Sequence, residues 1–115
     1  FDPGLVISLN ILTQLEALPV DYLRKRTRIP EEEYTRFRSA IQEKHISFLK
    51  SHTSLLISDT NEIFSGKKGR EEKIPTLLAE LPAGMLADQW TWDFDLKGVD
   101  NFNSRSVMNV TALVF

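Results

Sequence analysis

The sequence predicts an α+β fold in which two main α-helices, at about residues 4–17 and 31–57, and a short helix at 75–81 pack on a C-terminal antiparallel β-hairpin (90–97 and 106–115). Two observations predict this class. Apolar residues recur at helical spacing in the first half of the chain, and the pattern changes to a two-residue repeat from Gln89 onward. The 115 residues are predicted to form a single domain, with a helical part at 1–64, a flexible basic loop at 65–72, and a short helix plus hairpin at 73–115.

The first predicted helix begins at Asp2-Pro3, which resembles an N-cap followed by a proline at the first helical position. Its apolar face is formed by leucines at helical spacing: Leu5, Leu9, Leu12 and Leu15. We expect this helix to end near Ala17, because Pro19 disfavours helical geometry in the residue before it. A short helical restart at 19–23 is a further expectation.

The second predicted helix has the clearest start signal in the chain. Pro30 is followed by Glu31-Glu32-Glu33, which places a proline at the start and three acidic residues in the first turn. Apolar residues then recur seven apart, and they extend the predicted helix to about Ile57: Tyr34, Ile41, Phe48 and Leu55.

The short helix at Pro75–Leu81 is predicted from leucines on one side, and the two strands follow it. The first strand alternates apolar with polar residues (Trp90, Trp92, Phe94 and Leu96 are apolar), and the second carries Met108, Val110, Ala112 and Val114 on one face. A lone two-stranded hairpin is only marginally stable in water. The sequence therefore predicts that helices, further chain or a partner complete this sheet.

Composition excludes several classes of function. The net charge of −2 and the charged fraction of 26% are those of an ordinary globular domain, and they argue against a dedicated polyanion binder. The chain has no cysteine, which excludes disulfides, thiol nucleophiles and thiolate metal sites and favours a reducing, cytoplasmic compartment. No apolar run approaches the ~20 residues of a membrane span.

Two groups of titratable residues are candidates for catalysis. His45 and His52 are seven apart on the predicted helix, about 10.5 Å along its axis, and cannot share one metal ion. Packing at the rim of the apolar stripe is the expected role, with a pH-sensitive contact as the alternative. Asp93 and Asp95 are expected on one solvated strand face, about 7 Å apart. The sequence thus predicts no catalytic residues, no metal site, no cofactor and no enzymatic activity.

Two basic clusters are candidate contacts for a polyanion: Arg24, Lys25, Arg26 and Arg28, then Lys67, Lys68 and Arg70. Charge at a helix C-terminus and a solvated loop are the more ordinary explanation of these two clusters. A small nucleic-acid-binding domain is therefore the alternative function, which the net charge makes the poorer one.

From Arg70 onward the chain resembles the start of a COMM domain, the module of the COMM-domain (COMMD) adaptor proteins. The resemblance is carried by Lys73 to Leu81, by the motif Trp92-Asp93-Phe94-Asp95-Leu96, and by the Ser104-Arg105-Ser106 loop before the second strand. The chain departs from the family at Met108-Asn109, where a proline is usual. The resemblance implies a non-enzymatic scaffold that dimerises through interlocked segments within an endosomal trafficking assembly.

The residues and the resemblance lead to the same hypothesis: a non-enzymatic protein–protein interaction or scaffold module. It would complete its sheet with a partner protein or a second copy through the hairpin, by strand addition or through an aromatic face. The residues predicted to bind the partner are Trp90, Trp92, Phe94, Val110 and Val114.

Overall fold

The computed structural model describes residues 2–66, 69–95 and 105–115, with the side chains of Phe94 and Asp95 left out. Its helices are α1 (Ala17–Arg26) and α2 (Glu31–Lys50). Its strands are β1 (Val6–Leu9), β2 (Ser54–Ser65), β3 (Glu71–Pro75), β4 (Met85–Asp95) and β5 (Arg105–Val114). The strands form one mixed sheet in the order β1-β2-β5-β4, and β3 pairs with the distal half of β2.

The chain is α+β, but the predicted architecture is wrong. The two C-terminal strands pair antiparallel, yet they are not a separate hairpin packed on helices. Strand β5 lies between β4 and β2. The third strand, whose source the sequence alone does not decide, is therefore β2 of the same chain. Among the described strands, only β1 is parallel to its neighbour, and it lies near the start of the sequence.

The predicted helix at 4–17 is wrong, because this segment contains strand β1 and a turn-rich connection. Strand β1 pairs in parallel with β2, and the backbone N–H of Asn10 continues the pairing by donating to Ile57 O at 2.8 Å. Helix α1 begins only at Ala17. Pro19 therefore lies in the first turn, where the missing N–H costs no intrahelical hydrogen bond, and it favours the start of a helix rather than the end of one.

The predicted helix at 31–57 begins as expected and ends too late. Helix α2 stops at Lys50, where side chains satisfy its terminal carbonyl groups. Ser51 Oγ donates to Phe48 O and Ser54 Oγ donates to Leu49 O, both at 2.7 Å. Leu55 continues the heptad of α2 in the sequence, but in the structure it belongs to β2.

The predicted helix at 75–81 is also wrong. Pro75 ends strand β3, and the segment 76–84 crosses the sheet without helical structure. The side chain of Gln42, which is 0% exposed, makes hydrogen bonds to the backbone of this segment that a helix would have made internally. Its Nε2 donates to Thr76 O at 3.0 Å, and its Oε1 accepts from the backbone N–H groups of Leu78 and Ala79.

The core lies between one face of the sheet and a layer made by α2, the loop after β1 and the segment 76–84. Its buried members are Leu12, Ile46, Leu49, Leu56 and Ala79, and Val6, Leu77, Leu81 and Phe115 pack against them. In the described part of the chain, neither helix has the length and apolar character needed to cross a membrane.

Candidate functional site: an open apolar face of the sheet

The face of the sheet that points away from α2 carries four rows of side chains, because residues paired across neighbouring strands point to the same side. We call it the open face. Its rows, read from the strand register, are Ile7–Leu55–Val114–Met85, Leu9–Ile57–Ala112–Asp88, Asp59–Val110–Trp90 and Glu62–Met108–Trp92.

No described helix covers the open face, and its outer members are accordingly exposed. The exposed fractions are 58% for Ile7, 57% for Leu9, 74% for Met85, 41% for Trp90, 44% for Trp92 and 39% for Val114. By contrast, Leu56, which points to the other side, is 1% exposed. A contiguous apolar patch across four strands is characteristic of an interaction surface, whereas single exposed apolar residues are not.

The opposite face is polar where it extends beyond the core. A shallow depression there is lined mainly by polar residues, namely Thr60, Asn61, Gln89, Thr91, Asn109 and Thr111, together with Trp90 and Val110. Asn109 Nδ2 donates to Asn61 Oδ1 at 2.7 Å. The sheet is therefore apolar on the side without a helix and polar on the uncovered part of the helix side. This is the reverse of a one-sided antiparallel sheet with a solvated outer face.

All charged residues in the four described rows are acidic. Asp59 and Glu62 come from β2 and Asp88 from β4, and no lysine or arginine belongs to any row. Glu62 accepts a hydrogen bond from Ser106 Oγ, and Asp88 is exposed. The open face thus combines apolar side chains with negative charge.

A groove lies at one end of the open face, between the loop after β1 and the middle of the sheet. It is lined by Asn10, Gln14, Asp59, Trp92 and Met108. Asp59 is 4% exposed, and its Oδ1 accepts a hydrogen bond of 2.5 Å from Thr13 Oγ1. Two further buried oxygens, Asp59 Oδ2 and Asn10 Oδ1, receive no hydrogen bond from the described residues.

Four of the five residues predicted to bind a partner have described side chains, and all four lie on the open face. Trp90, Trp92 and Val114 are exposed there, whereas Val110 is only 2% exposed and serves as the packed floor between its neighbours. The side chain of Phe94 lies outside the described part of the structure.

Three of the five predicted polyanion contacts that the structure describes are engaged with acidic or aromatic side chains. Arg24 pairs with Glu31 and stacks over Tyr34, and Lys25 Nζ lies 2.7 Å from Asp21 Oδ2. Arg26 stacks over Tyr22. Arg28 and Arg70 are exposed, and Lys67 and Lys68 lie outside the described residues.

The titratable residues that are candidates for catalysis lie in different elements, the two histidines in or just after α2 and the two aspartates in β4. His45 Nε2 lies 2.8 Å from Ser8 Oγ on the helix side of the sheet, and burial lowers the pKa of this imidazole. His52 contacts Phe48 O and Ser51 Oγ at the end of α2. Asp93 is exposed on β4, and the side chain of Asp95 lies outside the described residues.

Several residues of the open face and its groove were missed from the sequence. They are Ile7, Leu9 and Met85 at the sheet edges, Leu55 and Ile57 in β2, and Asn10, Gln14 and Asp59 in the groove. The alternation in Val6-Ile7-Ser8-Leu9 was an available signal, because Ser8 is 1% exposed and both its neighbours are exposed. No local sequence pattern indicates that Asn10 and Asp59 line the same groove.

No protein-family model, no curated protein and no solved structure matches this chain. The resemblance to COMM-domain adaptors stays a prediction, and the site rests on its own geometry.

Proposed function

We propose that this chain is a non-enzymatic protein-interaction module whose open face binds a basic amphipathic helix of another protein. The observation that carries the proposal is the uncovered apolar surface across β1, β2, β5 and β4. A cytoplasmic location, which the absence of cysteine favours, is part of the same proposal.

The dimensions of the open face suit one helix. Four strands at ~4.8 Å spacing and a length of seven residues give a surface of roughly 14 Å by 23 Å. A helix is about 10 Å wide and rises 1.5 Å per residue, so about 15 residues would cover this length. Helix α2 already packs on the other side of the sheet, so a docked helix would complete a third layer.

The charge of the open face favours a different protein over a second copy. In a two-fold symmetric dimer, the same surface faces itself. Asp88 and Glu62 of each copy would then be brought near an equally acidic surface, which disfavours association. A partner helix with lysine or arginine beside its apolar stripe has the complementary charge.

Strand addition at the edge of β4 has less support than docking on the face. The pairing of β4 with β5 is interrupted by register shifts between Leu86 and Asp88 and between Asp93 and Asp95. Such bulges twist an edge strand and limit its pairing with a foreign strand. Strand addition was also predicted because a two-stranded hairpin would lack a further strand. The pairing of β5 with β2 supplies that strand from the chain itself.

The nucleic-acid alternative also has less support, because the first basic cluster is largely engaged with Glu31, Asp21 and tyrosine rings. Retention on a polyanion column that falls steeply with salt would favour it.

The proposal is tested with two designed helical peptides, one of leucine and lysine and its counterpart of leucine and glutamate, titrated while the fluorescence of Trp90 and Trp92 is followed. We expect the lysine peptide to bind more tightly. The variants Ile7→Thr and Trp90→Thr should each weaken it by about tenfold, which is ~1.4 kcal/mol of lost anchor contact.

Leu18→Thr is the matched control, because Leu18 is 81% exposed on α1 and outside the open face. It should leave the affinity unchanged. Equal binding of both peptides would contradict the proposal. Sedimentation equilibrium that shows a dimer, dissociated by Ile7→Thr but not by Leu18→Thr, would replace it with self-association.

A further inference from the structure

The groove at the end of the open face contains a buried carboxylate whose hydrogen-bonding capacity is only half used. Asp59 is 4% exposed, and Thr13 is the one described donor to it, through Oδ1. Oδ2 is buried without a described donor. A buried acceptor without a donor lowers the stability of the fold, and a charged one lowers it more, so such an atom calls for an explanation.

A second acceptor of the same kind lies in the same groove. Asn10 Oδ1 is buried and has no described donor. Asn10 adopts φ = +52°, a left-handed backbone conformation that asparagine tolerates better than most residues and that ends strand β1. The turn fixes Asn10 on one wall of the groove, while β2 supplies Asp59 from another.

The remaining walls favour a flat cation over a metal ion. Trp92 and Met108 line the groove, which has a volume of about 200 Å³. Ca²⁺ takes 6–8 oxygen ligands and Mg²⁺ about six, whereas this groove offers one carboxylate and two amide side chains. An indole ring beside a carboxylate suits a guanidinium group, which stacks on aromatic faces and donates hydrogen bonds from a planar fork.

We propose that the groove formed by Asn10, Gln14, Asp59 and Trp92 is a binding pocket for the guanidinium group of an arginine side chain. On binding, the side chains of Asp59 and Asn10 turn their unpaired oxygens toward the guanidinium group and accept its N–H groups, and the indole of Trp92 packs against its plane. That this arginine belongs to the helix docked on the open face rests on the proposed function; the chemistry of the pocket does not.

The pocket is tested with the free compounds N-acetyl-arginine amide and N-acetyl-citrulline amide, which have nearly the same shape but differ in charge. Binding is measured by NMR shifts of the backbone amide of Asp59 and the indole N–H of Trp92. We expect the arginine compound to bind at least about tenfold more tightly, because hydrogen bonds between charged groups are stronger than those between neutral ones.

Three variants identify the groove. Asp59→Asn keeps an acceptor for Thr13 but removes the charge, and it should abolish the preference for arginine over citrulline. Asp88→Asn removes one negative charge from the same face outside the groove, and it should leave the preference unchanged. Asn10→Asp adds a second carboxylate to the groove and should tighten binding of the arginine compound, so the test survives if Asp59→Asn fails to fold.

Equal affinity for both compounds would contradict the proposal that this groove binds a guanidinium group. An Asn10→Asp variant that binds the arginine compound no better than the original chain would contradict it as well. The peptide experiment separates this outcome from the proposed function. Loss of arginine selectivity with retained peptide binding refutes the pocket alone. Arginine binding at the groove without peptide binding refutes the docked helix alone.

Discussion

Gln42 is a polar residue in the middle of the apolar face of α2, and its amide organises a segment that has no regular structure. The side chain is fully buried and makes three hydrogen bonds to backbone groups of residues 76–79. Ala79 is buried and Thr76 and Leu78 are half-buried, so by pairing with these groups Gln42 stabilises the connection between β3 and β4 over the core.

Replacing Gln42 with leucine tests this role. Gln42→Leu keeps the volume but leaves the N–H groups of Leu78 and Ala79 and the carbonyl of Thr76 without their partner. We expect the free energy of unfolding to fall by about 2–5 kcal/mol, since each unsatisfied buried group costs ~1–3 kcal/mol. Chemical denaturation measures it. Gln89→Leu, at an exposed position on β4, should change stability by less than about 0.5 kcal/mol.

His45 predicts a pH dependence of stability. Burial lowers the pKa of His45 in the folded chain below its ordinary value of about 6.5. Between the two values the unfolded chain binds more protons, so the free energy of unfolding rises with pH in this window. The stabilisation by neutral His45 is complete above pH ~6.5 and is lost as the pH falls below it.

Denaturation between pH 7.5 and 5.5 measures this dependence. His45→Gln should flatten the profile, whereas His52→Gln, which leaves the contact between His45 and Ser8 in place, should keep it. A profile that His45→Gln leaves unchanged would show that other groups are responsible.

At the residue scale, the sequence predicts the environment of a side chain where a local pattern, such as alternation along a strand, determines which face it lies on. Trp90 and Trp92 alternate with polar neighbours, and they do lie together on one face of the sheet. Gln42 could not be assigned in this way. Its role depends on backbone groups more than 30 positions further along the chain, which no local pattern describes.

Among the elements, the leucine repeat at Leu5, Leu9, Leu12 and Leu15 shows how helical spacing can mislead. A helix would bury these leucines on one face. In the structure Leu12 is 0% exposed, while Leu5, Leu9 and Leu15 are 52%, 57% and 39% exposed. The parallel partner of β1 comes from residues 54–57, so only tertiary pairing decides between strand and helix here.

The same substitution, leucine to alanine, made at two of these positions distinguishes the strand and turn of the structure from a helix with one buried face. Leu12→Ala should lower the free energy of unfolding by about 2–5 kcal/mol, because it leaves a cavity in the core. Leu9→Ala should cost less than about 1 kcal/mol, because much of its side chain is already in solvent. Chemical denaturation of both variants is the measurement. Similar losses at both positions would instead favour the helix at 4–17.

For the molecule as a whole, the sequence predicts the features that depend on residues close together in the chain. The β4–β5 pair and the start of α2 follow from alternation and from Pro30. The remaining sheet joins β1, β2 and β5, which are far apart in the chain. Because β5 lies between β2 and β4, the apolar side chains of the predicted hairpin become part of a wider surface that also includes β1 and β2.

This surface predicts how the isolated chain behaves. Nile red is an uncharged dye that fluoresces on apolar surfaces, so the acidic residues of the open face do not repel it. We expect the folded chain to bind it under native conditions. The triple variant Ile7→Thr, Leu9→Thr, Met85→Thr should lose most of the signal while the unfolding midpoint stays nearly unchanged, since all three side chains are more than half exposed.

Leu18→Thr removes an even more exposed leucine from α1 and serves as the control for a general loss of apolar surface. It should leave dye binding intact, because a single exposed apolar residue does not form a patch. A triple variant that binds the dye like the original chain would mean that the open face is already covered in solution. The sheet would then have its third layer before any partner arrives, and a docked helix would have no surface left to bind.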